Sequence, residues 1–212
     1  MKNKIVKDAL LLTLITLVSG CILGLVYQIT KAPIAQAQED ATQTAYKEVF
    51  EDADSFEKYV AFSADDAAAA LEEATTADYD YMNDDTINGC VEAKDASGNT
   101  LGYVITITTH AGYGGDITFS IGVQNDGTLN GYSITTINET AGLGMKSKEP
   151  AFENQFNDKN VEEFAVTKTG STSDSEIDAI SGATITSKAV TNGVDAGLVY
   201  FRSIAEGGST NE

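Results

Sequence analysis

The chain opens with an apolar run unlike anything that follows it. Residues 9–30, ALLLTLITLVSGCILGLVYQIT, hold no charged side chain, and 22 residues rising about 1.5 Å each cover roughly 30 Å of hydrocarbon. The pattern predicts one membrane-spanning helix. Residues 36–80 change character: they are rich in Ala, Asp and Glu, with Tyr46, Val49, Phe50, Phe56, Tyr59 and Val60 loosely at helical spacing. This reads as a helical spacer, with Ala67 to Ala70 on a solvated surface helix. From about Gly89 the period shortens. Val91 to Lys94 leads through the turn Asp95-Ala96-Ser97-Gly98-Asn99 into a strand from Leu101 to Thr109. Ile117, Phe119, Ile121 and Val123 alternate with Thr118, Ser120, Gly122 and Gln124, as in a half-buried strand, and Asn125-Asp126-Gly127 turns that strand into the next, Leu129 to Ile137. Consecutive hairpins predict an antiparallel sheet, hence an α+β class. Helices are expected over residues 149–156 and 186–203, the second with Val190, Val194, Leu198 and Phe201 on a buried face. The end, 206–212, reads as a flexible tail.

Charge orients this layout. Lys2, Lys4 and Lys7 precede the apolar run, against Asp8 and a single Lys31 after it, so the positive-inside bias predicts a cytoplasmic N-terminus and an extracytoplasmic C-terminal domain. Val18-Ser19-Gly20-Cys21 also resembles a lipobox, in which Cys21 is lipidated. Against this, apolar residues continue past it through Ile22, Leu23, Leu25, Val26 and Ile29. Gly20 and Gly24 form a GxxxG pair, open to a partner helix or to chance. The formal net charge is −19, and everything beyond Lys31 is strongly acidic, which argues against nucleic acid as a partner. Two distant cysteines, Cys21 and Cys90, and a single histidine, His110, argue against a disulfide, an iron–sulfur cluster, a protein-held metal and a hydrolytic triad. Cys90 reads as a small buried apolar residue and His110 as a strand-end residue.

The segment that carries chemistry is Asp178-Ala179-Ile180-Ser181-Gly182-Ala183-Thr184-Ile185-Thr186-Ser187, directly before the last helix. Small residues admit close backbone approach, and exposed amides at a helix N-terminus favour a phosphate, which a threonine hydroxyl there is placed to esterify. Simple N-capping by Ser and Thr explains the same residues. A second segment, Glu139-Thr140-Ala141-Gly142-Leu143-Gly144-Met145-Lys146, follows a strand as a glycine-bearing loop suited to a planar ring or phosphate, or to an ordinary turn. A third, Tyr113-Gly114-Gly115-Asp116-Ile117, heads a strand and serves equally as a tight turn or as a ligand contact.

DAISGAT resembles the flavinylation motif of the covalent FMN-binding domain found in the G subunit of Rnf-type complexes and the C subunit of sodium-pumping NADH:quinone oxidoreductases. ETAGLG is similar to the ETPGLG segment of these families, with Ala141 in place of proline, and GYGGDI to their GYGGxI element. The resemblance covers roughly residues 89–203. It implies FMN held covalently by a phosphoester to Thr184, with Thr186 as the second choice of hydroxyl. Asp178, Ser181, Gly182, Ala183, Glu139, Thr140, Gly142, Leu143, Gly144 and Lys146 complete the implied cofactor site, with no catalytic residue of the protein's own and no metal. It further implies a single-pass membrane protein that relays electrons between ferredoxin and NAD in a complex pumping Na⁺ or H⁺, with other subunits as partners and a flavin transferase using FAD for maturation. The expected organisation is a cytoplasmic segment 1–8, a span 9–30, a spacer 31–88, the FMN-binding domain 89–205 and the tail. Two other readings stand beside it: a stand-alone membrane-anchored FMN reductase, and a non-catalytic cell-surface binding domain.

Overall fold

The computed structural model describes residues 2–75 and 84–207. The chain divides into two compact units, Met1–Ala41 and Thr42–Glu212. The first is built from helix α1 (Lys2–Val49), which runs on past the unit's end and through Pro33. It is long and apolar enough to cross a membrane, and its Leu10, Leu14, Leu17 and Leu23 side chains are exposed. Threonine hydroxyls within this apolar stretch are satisfied by the helix itself: Thr13 donates to the Ala9 carbonyl and Thr30 to that of Val26, each at 2.9 Å. A medium without water requires that arrangement.

The second unit is the α+β domain. Strands β1 (Ser55–Lys58), β2 (Asp85–Lys94), β3 (Thr100–Thr109), β4 (Ile117–Gln124) and β5 (Leu129–Thr136) form one antiparallel sheet in chain order. The turns follow their residues. Asp95 accepts from the Ser97 and Asn99 amides at the β2–β3 turn, and at β4–β5 the Gln124 amide donates to the Thr128 carbonyl at 2.8 Å. Helix α4 (Thr184–Gly207) covers one face of the sheet, where Val190, Val194 and Leu198 share a core with Ile105, Ile107, Phe119 and Ile121.

The other face differs from expectation. The alternation in β4 predicts a half-buried strand, yet Ser120 is fully buried and Gly122 is covered. The reason is the C-terminal end of α1 and the turn after it. Tyr46, Val49, Phe50 and Ala53 pack with Ala93 and Val104 as a second core, and a Cβ placed on Gly122 would lie 2.4 Å from the Val49 carbonyl oxygen. Burying Val49 and Phe50 contributes roughly 1.5–3 kcal/mol each.

The stretch expected to be a spacer therefore joins the domain from Thr42 onward. Residues 55–58 are a sheet edge rather than helix, Phe56 pairing with Ala93. Helix α2 (Ala64–Ala74), capped by Ser63, places Ala67 and Leu71 in the main core and exposes its acidic residues. The spacer expectation over residues 76–83 lies outside the described residues, as does the tail over 208–212; residues 206–207 continue α4.

After β5 the chain makes a 3₁₀ turn (Gly144–Lys148) and the short helix α3 (Pro150–Glu153), where Pro150 stands at the N-terminus and its missing N–H costs nothing. A parallel pair, β6 (Ala165–Thr167) and β7 (Glu176–Asp178), then delivers the chain to α4. Cys90 is buried, and burial pushes its thiol pKa up to about 12, in keeping with a packing role. His110 lies just past β3, with its ring nitrogens at 2.9 Å from Asp116 Oδ1 and 3.0 Å from Thr86 Oγ1.

Candidate functional site

Three loops meet over the start of α4 and enclose a cleft of about 570 Å³ lined by Tyr113, Glu139, Thr140, Leu143, Gly144, Gly182, Ala183, Thr184, Ile185 and Thr186. The first loop, between β7 and α4, is a turn pinned by one side chain. Ser187 is fully buried; its Oγ accepts from the Ile180 amide at 2.9 Å and donates to the Ala183 carbonyl at 3.0 Å. Gly182 takes φ +78°, a conformation costly for any residue with a Cβ. The chain thus turns abruptly into the helix. The amides of Thr184, Ile185 and Thr186 belong to the first turn, where an α-helix offers no internal acceptor, so they are the natural donors to an anion at this end of the cleft.

The second loop follows β5. The Leu143 amide donates to the Thr140 carbonyl at 3.1 Å, and the Met145 amide to the same oxygen at 3.3 Å. That curl sets Gly144 against α4: a Cβ there would stand 2.6 Å from Glu139 Oε2 and 2.7 Å from Thr186 Oγ1. Only glycine allows this approach. The third loop, between β3 and β4, is joined to the second through Glu139, whose Oε1 accepts from the Gly114 amide at 3.1 Å. Glu139 is buried, so its carboxylate works as an internal tie between loops.

The expected residues divide into two groups. Glu139, Thr140, Leu143, Gly144, Gly182, Ala183, Thr184 and the second-choice Thr186 come together in the cleft lining. Asp178, Ser181, Gly142 and Lys146 stand outside it. The Asp178 carboxylate accepts from Ser171 at 3.3 Å, and its backbone is held by Gln155, which accepts from the Asp178 amide at 2.7 Å. Ser181, Gly142 and Lys146 are not among the lining residues. Of the two hydroxyls, Thr184 is half-buried at the cleft, whereas Thr186 is only 1% exposed beneath Gly144. Ile185 and Ser187 are additions. Ile185 had a signal in the sequence: it is apolar yet falls off the buried stripe of Val190, Val194 and Leu198. Ser187 had none that separates a pin from a cap.

The profile of the FMN-binding domain family matches residues 112–199, a span containing every residue that lines the cleft, and that of the RnfG N-terminal region matches residues 1–49, the whole of α1. The G subunit of the Na⁺-translocating ferredoxin:NAD⁺ oxidoreductase complex of Acetobacterium woodii is 30% identical over 94% of this chain and 93% of its own. Its counterpart in the proton-translocating ferredoxin:NAD⁺ oxidoreductase complex of Clostridium ljungdahlii is 33% identical over 86% of this chain and 84% of its own. The chain belongs to the RnfG family. It carries an FMN-binding domain behind an N-terminal apolar helix. Among solved structures, the C subunit of the Na⁺-translocating NADH-quinone reductase of Parabacteroides distasonis matches 55% of this RnfG chain and 61% of its own, at 28% identity and a TM-score of 0.46.

Proposed function

We propose that this chain is the electron carrier of an ion-translocating ferredoxin:NAD oxidoreductase complex, with FMN esterified to Thr184 in a domain on the outer face of the membrane. The relatives' names supply the complex; they specify Na⁺ in one case and protons in the other, so the proposal covers the relay and leaves the ion open. The observation that carries the site is the contrast between the two hydroxyls. Both line the cleft, but Thr184 is half-buried at the first turn of a long helix, while Thr186 is 1% exposed with its Oγ1 close against Gly144.

The residues fit the group. The cleft volume lies within the roughly 300–1,000 Å³ of small-molecule sites. The first-turn amides of α4 would hold the phosphate, and Leu143, Ala183 and Ile185 would give the ring an apolar wall. Bound there, FMN supplies reversible electron transfer, and the protein supplies position and polarity. For attachment, the Thr184 oxygen bonds to the phosphorus of the FMN half of FAD, and the pyrophosphate bridge breaks. AMP leaves with the bridging oxygen, and the hydroxyl proton passes to solvent. A flavin transferase would catalyse that step. A tether suits an extracytoplasmic site, where free flavin to replace a lost one is scarce. Lys2, Lys4 and Lys7 support a cytoplasmic N-terminus, residues 9–30 the span, and the other members of the complex would be the electron partners.

The test is the intact mass of the full chain made with and without a flavin transferase. One FMN residue should be gained, lost in Thr184→Ala and kept in Thr186→Ala. A gain that survives Thr184→Ala and vanishes in Thr186→Ala would assign the other hydroxyl. A colourless, unmodified chain from the native complex would overturn the covalent reading.

A further inference from the structure

Among the described residues beyond α1, four large apolar side chains stand exposed: Val60, Tyr113, Leu143 and Ile185, at 98, 70, 41 and 53%. Three of the four line the same cleft, and they reach it from two different loops and the first turn of α4. Scattered apolar residues on a surface need no explanation, but a convergent set does.

Tyr113 is the most informative of them, because its exposure is enforced. On one side the Gly114 amide donates to Glu139 Oε1 at 3.1 Å, and a Cβ on Gly114 would lie 2.2 Å from the Asn138 carbonyl oxygen. On the other, the Asp116 carboxylate is held to the His110 ring at 2.9 Å. A loop fastened this way leaves the phenol little freedom to retreat from water. Across the cleft Leu143 closes over the helix start: its Cδ2 would meet a Cβ on Gly182 at 3.2 Å. One cleft thus holds an aromatic ring and two branched aliphatic side chains together with Thr184. A flat aromatic ligand suits such a slot, since it removes apolar surface on both sides and gains an offset or edge contact with the phenol.

We infer that Tyr113 is the ring-contact residue of this site, packing on the isoalloxazine, with Leu143 and Ile185 as the opposing wall. The inference rests on the proposed FMN site and adds a residue to it. Two consequences follow from chemistry alone. A phenol in contact with an excited flavin donates an electron to it and extinguishes its fluorescence. The phosphoester at Thr184 does not depend on that contact.

The test therefore has two independent readouts on the full chain made with a flavin transferase: intact mass for attachment, and flavin fluorescence per bound FMN. Tyr113→Leu should keep the added mass and fluoresce several-fold more brightly; Tyr113→Trp, which restores an aromatic donor, should keep the mass and stay dim. If Tyr113→Leu carries FMN and is as dim as the parent, the ring contact is refuted and the Thr184 site stands. If Tyr113→Trp is as bright as Tyr113→Leu, the tyrosine acts only by shaping its loop, and the inference fails. A parent chain without added mass removes the site and the ring contact together.

Discussion

Replacing Gly144 by alanine adds one methyl group at the most crowded point of the site. The new Cβ would stand 2.6 Å from Glu139 Oε2, 2.7 Å from Thr186 Oγ1 and 2.8 Å from Glu139 Cβ. Relief of all three contacts requires a shift of the 3₁₀ turn away from α4. A rotation of Thr186 alone is insufficient, because Thr186 is 1% exposed and Glu139 is tied to Gly114. Inserting a methyl into a packed site costs about 1–3 kcal/mol, and each kcal/mol lowers Tm by roughly 2–4 °C in a unit of this size. Function should suffer more than stability, since the shift opens the cleft beside Thr184. Differential scanning fluorimetry and the yield of the FMN adduct measure the two effects. Gly142→Ala is the control. Gly142 has φ +76° and open space around its Cβ position, so alanine there meets backbone strain and no clash. Gly144→Ala should lower the adduct yield well below that of Gly142→Ala at equal expression. Equal yields, or an unchanged Tm for Gly144→Ala, would refute the packing described for this loop.

Ser187→Ala removes the acceptor of the Ile180 amide in a buried turn. An unsatisfied buried amide costs about 1–3 kcal/mol; urea titration should show that loss, and adduct yield should fall with the turn's order. Asp195 is buried on α4, which pushes its pKa well above the carboxylate range, with Glu163 and Asp85 adding to the rise against the Phe164 amide and Arg202. A folded pKa above the unfolded one makes folding favour the protonated form, so stability falls as pH climbs from the unfolded value towards the folded one. Asp195→Asn keeps an acceptor for the Phe164 amide, at 3.0 Å from Oδ1, and should remove that slope. Its stability advantage over the parent should be small near the ordinary carboxylate pKa of about 4 and widen by at most about 1.4 kcal/mol per pH unit above it; a pH-independent difference in urea titrations would contradict the assignment. Cys90, with its thiol pushed up to about 12 by burial, should resist maleimide near neutral pH in a Cys21→Ser background and react only after denaturation.

What the sequence discloses about this fold depends on how local the determining contact is. The hairpins from β2 to β5 were legible because turn and alternation sit close together along the chain: Asn125-Asp126-Gly127 between two alternating runs leaves little freedom of register. β1 was hidden for the opposite reason. Ser55–Lys58 has no strand pattern of its own and is made a strand by Val91 to Lys94, far along the chain. The second core hides likewise, because Tyr46, Val49 and Phe50 have the spacing of a helix in either environment, and only their contact with Val104 and Gly122 reveals that the sheet is covered on both faces. The site follows the same rule. Gly182, Ala183 and Thr184 could be read from their place before a helix, and Glu139 to Gly144 from a glycine-bearing loop. Neither segment discloses that Glu139 reaches Gly114, or that Leu143 lies over Gly182. Those contacts make one cleft of three motifs, and they separate lining residues from neighbours that share a motif, such as Asp178 and Lys146, and stand outside it. A motif therefore states which segments matter, while the long-range contacts decide which of its atoms touch the ligand. Thr184 and Thr186 differ by two positions and by no property of composition; packing separates them, since Gly144 lies directly against Thr186 Oγ1 and Thr186 is 1% exposed, while Thr184 is half-buried at the cleft.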